Sequence, residues 1–209
     1  MYFVKAIGQS FGYMLEKPPY TVVESKDGYE ERKYAAAKWV STTAQDMSQE
    51  NAVNTSFRKL FTYITGGNEL GEQISSYIQL RNVCASGSDL KRTKVDMTAP
   101  VATRIVPGAG PNCESTFTVS FYIPPKHQES PPAPKDNSVF IESFPEMTIY
   151  ASGFGGFADD TKWIAHAREL SEKIKDKNFH QEFYFTAGYD APFKLFNRLN
   201  EVWFVKKDS

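Results

Sequence analysis

The chain reads as an α+β domain made of two like halves, with eight strands and two helices in all. Three observations predict this. Two segments carry apolar residues at the helical period, one in each half. Several others alternate apolar and polar residues at period two. Both kinds recur in the same order: strand, strand, helix, strand, strand. Val23-Glu24-Ser25 and Ile141-Glu142-Ser143 even open the halves alike.

In the first half, residues 20–24 alternate weakly and end at Lys26-Asp27-Gly28, a turn signal. Residues 29–43 follow as a long strand holding Tyr34, Ala36, Trp39 and Val40, so the pair reads as a hairpin. The first helix starts at a capping-box-like pair, Asp46 and Gln49. Val53, Phe57, Leu60, Phe61 and Ile64 form one apolar face, and Gly66-Gly67 ends it. Asn54, Arg58, Lys59 and Thr62 fall around its edge and back. Residues 97–106 make the next strand, closed by Pro107-Gly108. Residues 115–123 alternate, with Phe117, Val119, Phe121 and Ile123 facing one way.

A connection over 124–137 contains five prolines and reads as a stiff surface loop. The second half repeats the pattern. Residues 139–144 and 147–157 are strands around a Pro145-Glu146 turn. Asp160 or Thr161 caps a helix whose apolar face is Trp163, Ile164, Ala167, Leu170 and Ile174. Residues 179–187 and 201–206 close the domain. Two stretches fall outside this scheme. Residues 1–19 form an N-terminal arm broken by glycines and prolines, ahead of a single domain over 20–209. Residues 74–93 are Ser-rich, lack a sustained period, and read as an inserted loop.

At 209 residues the chain can bury a sizeable core. Its formal net charge of -1 provides no global field to draw nucleic acid or an acidic membrane surface. Two cysteines, Cys84 and Cys113, fit neither a disulfide framework nor a metal motif. The N-terminus lacks the apolar core of a secretory leader, and no run is long enough to span a bilayer. A cytoplasmic protein with reduced thiols is the expectation.

Enzyme signatures are missing: there is no nucleophile elbow and no phosphate loop. Gly153-Phe154-Gly155-Gly156 has the wrong spacing for a dinucleotide loop and reads as close packing between strand and helix. Asp159-Asp160 stands where a helix cap belongs. Asp96 has no partner nearby in sequence. The histidines, His127, His166 and His180, have no second ligand at metal spacing. The sequence therefore predicts a binding protein and no catalytic residues.

Several motifs stand in order along the chain: Tyr29-Glu30-Glu31-Arg32, Ala37-Lys38-Trp39-Val40, Met97-Thr98-Ala99-Pro100-Val101, Phe121-Tyr122-Ile123-Pro124, Thr186-Ala187-Gly188-Tyr189 and Asn200-Glu201-Val202-Trp203. With these motifs the chain resembles the SOUL/heme-binding protein family over about 20–207, the 74–93 segment excepted. The resemblance implies a distorted eight-stranded β-barrel of two β-α-β-type repeats flanked by two helices. It also implies a cytosolic, non-enzymatic binder of heme and related porphyrins.

In one branch of that family the porphyrin lies between the first helix and the loop before the last strand, here 190–200. The resemblance places the family's basic loop residue at Lys194. The basic helix positions fall on Asn54 and Thr62, which carry no charge, with Arg58 and Lys59 close by. In the other branch an axial histidine lies on the second strand, where this chain has Lys33. A binding site built from Asn54, Phe57, Arg58, Phe61 and Thr62 on the helix, facing Pro192, Phe193, Lys194 and Arg198, would hold the plate mainly by apolar contact. Its carboxylates would seek Arg58, Lys194 or Arg198. The rival reading is a protein-interaction module in which the second helix, 161–176, docks in a partner's groove without any tetrapyrrole.

Overall fold

The computed structural model describes residues 15–69, 93–110, 113–191 and 194–208. The expected insertion at 74–93, except Thr93, and most of the N-terminal arm lie outside the described residues, as do Pro192 and Phe193. The element order is β1 (Tyr20–Lys26), β2 (Tyr29–Tyr34), β3 (Ala37–Asp46), α1 (Gln49–Ile64), β4 (Asn68–Glu69), β5 (Val101–Val106), β6 (Ser115–Tyr122), a 3-10 turn (Pro125–His127), β7 (Ala133–Pro134), β8 (Val139–Phe144), β9 (Met147–Gly155), α2 (Asp160–Lys173), β10 (Tyr184–Gly188) and β11 (Leu199–Val205).

One antiparallel sheet carries nine of these strands in the order β1-β2-β9-β11-β10-β5-β6-β3-β8. The long hairpin strand expected over 29–43 is two strands. Ala35 and Ala36 interrupt it, and β2 and β3 stand second and eighth in the sheet. Two intervening residues span at most about 11 Å between flanking Cα atoms. Six strand spacings in a flat sheet would take about 29 Å. The sheet must therefore roll on itself. The link from β8 to β9, through Pro145 and Glu146, demands the same. Ring contacts confirm the curl: Phe144 on β8 lies 6.0 Å from Phe185 on β10, four strands away.

The sheet is rolled but not closed, because β1 and β8 are free edges. That corrects the expected eight-stranded barrel in two respects. The ninth strand comes from the division of residues 29–43 into β2 and β3, while β1, which among the described residues pairs with β2 alone, bulges between Val22 and Glu24. Among the described residues the outer edge of β1 hydrogen-bonds no other strand, so the cylinder stays open.

The strand order has an internal symmetry. Leaving β1 aside, it alternates alike from either end, with β2 matching β8, β9 matching β3, β11 matching β6, and β10 matching β5. The centre is the register pair Thr103–Thr186. The counterpart of β8 is thus β2, so the likeness between Val23-Glu24-Ser25 on β1 and Ile141-Glu142-Ser143 on β8 joins strands that do not correspond.

Three larger apolar clusters hold this arrangement, beside a small one of Ala52, Ile105 and Phe117. Inside the roll, Tyr34, Trp39, Phe144, Ile149, Phe185 and Trp203 pack together. Outside it, α1 covers Val40, Val119 and Phe121 through Leu60, Tyr63 and Ile64. Ala167, Leu170 and Ile174, on and just after α2, cover Tyr150, Val202 and Phe204. β6 is buried on both faces, so its polar residues find partners indoors: Ser120 hydrogen-bonds Ser41 at 2.8 Å. The Pro-rich connection is more than a loose loop. β7 pairs with β4, and the Tyr63 hydroxyl donates to the Pro132 carbonyl at 2.8 Å.

The helix starts differ slightly from expectation. Ser48 caps α1, its side chain accepting from the Asn51 N–H, while Asp46 accepts from the Ser48 N–H. Asp159 caps α2. Asp160 accepts instead from the Glu50 N–H of α1 at 3.2 Å, so the two helices begin side by side. Gln49 donates to Thr186 at 2.7 Å, tying α1 to the centre of the sheet.

Candidate ligand-binding site

The apolar stripe of α1 is wider than the sheet beneath it. Leu60 and Ile64 are buried, but Val53, Phe57 and Phe61 remain half-buried at the stripe's edge. Phe57 and Phe61 stand one turn apart, so their rings stack, 5.9 Å between centroids and 14° between planes. Phe57 also meets Phe121 edge-on at 5.2 Å. In register beside Phe121 comes Val101, and beside Val101 comes Gly188. A side chain added at Gly188 would meet nothing within 4 Å. The arrangement is an aromatic step on the helix beside an open strip of sheet, which ends where the 189–198 loop leaves β10.

The polar residues expected here are placed unevenly. Asn54, Arg58 and Thr62 are exposed on α1, and Thr62 spends its hydroxyl on the Arg58 carbonyl at 2.9 Å. The Arg58 guanidinium has no ion-pair partner among the described residues. Lys194 and Arg198 are engaged by their own loop. Lys194 pairs with Asp190. Arg198 donates to the carbonyls of Ala191 and Lys194, both at 2.8 Å, and stacks over Phe157 at 4.6 Å. Burial pushes the Asp190 carboxyl up, but Lys194, the Leu199 N–H and Arg198 outweigh it and hold the group below its ordinary value. Asn197 takes a φ of 52° to let the chain turn back. Pro192 and Phe193 lie outside the described residues.

The histidines and Lys33 are likewise occupied or apart. His166 stacks on Phe154 at 3.8 Å, and His180 bonds Glu182 at 2.6 Å. Burial first, and then Lys126, push the His127 ring below its ordinary value. Lys33 is exposed and pairs with Glu146 at 2.7 Å. Among the described residues no group of three or more acidic, cysteine or histidine side chains could hold a metal ion, and no helix is long and apolar enough to cross a membrane.

Two features were invisible in sequence. One is a buried polar network inside the roll. Arg32 meets Glu201 through three hydrogen bonds of 3.0–3.1 Å. Tyr189 and Trp203 donate to the same carboxylate at 2.7 and 2.8 Å. Burial, with Glu201 beside it, pushes the Tyr189 phenol up. The network anchors the start of the 189–198 loop to the barrel-like interior. The motifs Tyr29-Glu30-Glu31-Arg32, Thr186-Ala187-Gly188-Tyr189 and Asn200-Glu201-Val202-Trp203 held its residues, but nothing local joined them. The other feature is a cleft of about 750 Å³ between α2, β5 and β10, on the opposite side of the central Thr103–Thr186 pair from Phe57.

A model of a family described as SOUL heme-binding protein matches residues 15–205. Human heme-binding protein 2 is 39% identical over 194 residues, covering 92% of this chain and 84% of that protein. Mouse heme-binding protein 1 is 31% identical over 180 residues, covering 85% of this chain and 84% of its own length. Among solved structures, the C-terminal domain of EcmrR shares the fold, with a TM-score of 0.59 at 8% identity over 91% of this chain and 99% of that one.

Proposed function

Because the chain belongs to the SOUL heme-binding protein family, we propose that it binds heme or a related porphyrin, without catalysis, as a cytoplasmic carrier or buffer. The observation that carries this reading is the half-buried Phe57–Phe61 stack beside the open strip at Val101 and Gly188. A porphyrin is a large apolar plate, and a site for it needs apolar walls with a few polar groups at the margin.

The residues fit the apolar part of that ligand. Phe57 and Phe61 would cover the ring; the other apolar residues expected there, Pro192 and Phe193, lie outside the described residues. The charged margin rests on Arg58, which is exposed and has no ion-pair partner among the described residues, more than on Lys194, which already holds Asp190. Asn54 and Thr62 add hydrogen-bonding groups and no charge. Bound heme would supply redox-active iron, but the chain's contribution is burial and orientation, so affinity comes from contact area. The symmetric strand order supports reading the domain as two like halves, with 74–93 as an insertion in the first.

Hemin titration of the purified protein, followed by Soret absorbance, tests the proposal. A saturable one-to-one complex is expected. A linear, unsaturating response would remove the carrier reading and favour a protein-interaction role for the fold.

A further inference from the structure

The cleft under α2 occupies the place that corresponds, across the Thr103–Thr186 centre, to the strip beside α1. Where the α1 side has Gly188, this side has Ile105, because the pairs Val101–Gly188 and Tyr184–Ile105 are equidistant from that centre. Its floor is apolar: Ile105, Tyr184 and Phe204. Its mouth holds two large apolar side chains left in water, Met47 at 59% exposure and Ile164 at 45%. Ile164 belongs by period to the apolar stripe of α2, yet it lines the cleft instead of packing in the cluster of Ala167, Leu170 and Ile174. Exposed apolar groups around a concavity of this volume are what a ligand would cover.

The charge at the rim is positive. Lys175 is paired with Glu172, but the exposed Arg168 guanidinium has no ion-pair partner among the described residues. An arginine beside an apolar wall can take a carboxylate or sulfonate through paired N–H donors.

We propose that this cleft is a second ligand site, separate from the α1 strip, for an apolar, ring-bearing anion whose charged end meets Arg168. Cys113 lines the cleft and is exposed, so it reports on occupancy. The probe is 1-anilinonaphthalene-8-sulfonate, a ring-bearing sulfonate that fluoresces when buried. The protein is the full chain with Cys84→Ser, leaving Cys113 as its one thiol.

Saturating probe should slow iodoacetamide alkylation of Cys113 at least fivefold. Arg168→Glu and Ile164→Asp should each weaken probe binding at least tenfold and abolish that protection. Both positions are exposed, and near-UV circular dichroism checks that each variant keeps its packing. Hemin titration of Arg168→Glu should match the parent, since Arg168 is remote from Phe57. Probe binding that survives both substitutions, or that leaves Cys113 alkylation unchanged, overturns the proposal. So does probe binding that is lost with Phe57→Asp and retained with Arg168→Glu, which would place the probe on α1.

Discussion

Arg32 and Glu201 face each other inside the rolled sheet although β9 runs between their strands, with side chains only 10% and 5% exposed. Register explains the contact. Arg32 pairs with Ile149 and Glu201 with Gly153, two residues to either side of the small, inward-facing Ala151, so the two long side chains reach each other diagonally across β9.

A buried pair is costly to break from one side. Arg32→Leu leaves the Glu201 carboxylate uncompensated and should cost about 3–5 kcal/mol in urea unfolding. Adding Glu201→Gln removes the stranded charge and keeps an acceptor for Tyr189 and Trp203. The double variant should therefore recover part of the loss, with a coupling of about 0.5–3 kcal/mol. Simple additivity would mean the two groups do not depend on each other.

The helices were legible in sequence because their apolar periods are long, and Asp159-Asp160 marked a helix start. The break at Ala35-Ala36 was not, since alanine carries no turn signal and strand-forming residues resume at Trp39 and Val40. The roll was hidden for the same reason: it follows from where β2 and β3 stand in the sheet. Arg32 and Glu201 lie 169 residues apart, so each read as an ordinary charged strand residue. The burial of Thr118 and Ser120 was not legible either, because their cover, the inner cluster, is assembled from distant strands. At the candidate site Phe57 and Phe61 were legible as an apolar turn. That Lys194 and Arg198 spend themselves on their own loop was not, because it depends on how the chain turns at Asn197.

Lys194→Ala should weaken hemin binding by less than about tenfold, roughly 1.4 kcal/mol. The side chain is 39% exposed and already paired, so a ligand would have to displace Asp190. Phe57→Ala should weaken it more, through lost apolar burial. Tryptophan quenching measures both, with circular dichroism to confirm the fold. A folded Phe57→Ala protein with unchanged affinity would remove α1 from the site.

No single histidine should be needed for hemin binding. His166 is stacked on Phe154, His180 is held by Glu182, and His127 sits in the 3-10 turn. His127→Ala, His166→Ala and His180→Ala should each retain the Soret band of the complex. Its loss in just one of them would identify an iron ligand.

The 189–198 loop should loosen in acid. Asp190 anchors it by accepting from Lys194 and from the Leu199 N–H at 2.6 Å. Its carboxyl lies below the ordinary 3.8. Such a group stabilises the fold fully above the unfolded carboxylate range, and the contribution fades as pH falls through the lower folded value. The amide proton shift of Leu199 in NMR should titrate with a midpoint below 3.8, and Asp190→Asn should abolish the transition. A midpoint at or above 3.8 would show that the anchor does not hold in solution.

The inserted segment should be dispensable if its ends are kept. The chain leaves β4 at Glu69 and returns at Thr93, and the fully buried Asn68 side chain joins the two points. Its amide donates to the Thr93 carbonyl at 2.7 Å and to the Tyr63 carbonyl at 2.6 Å, and it accepts from the Thr93 N–H at 3.1 Å. Val95 then bonds back to Ile64 at 2.9 Å. Closure is thus set by Asn68, and the length between its partners enters only logarithmically. Deleting residues 74–90, which spares Thr93, should leave thermal unfolding cooperative, with a midpoint within a few degrees of the parent. Asn68→Ala in the intact chain should do far more harm. It strands two carbonyls and an N–H, at about 1–3 kcal/mol for each group left unsatisfied. Aggregation of the deletion variant alongside a stable Asn68→Ala protein would reverse the ranking and make the inserted segment an integral part of the core.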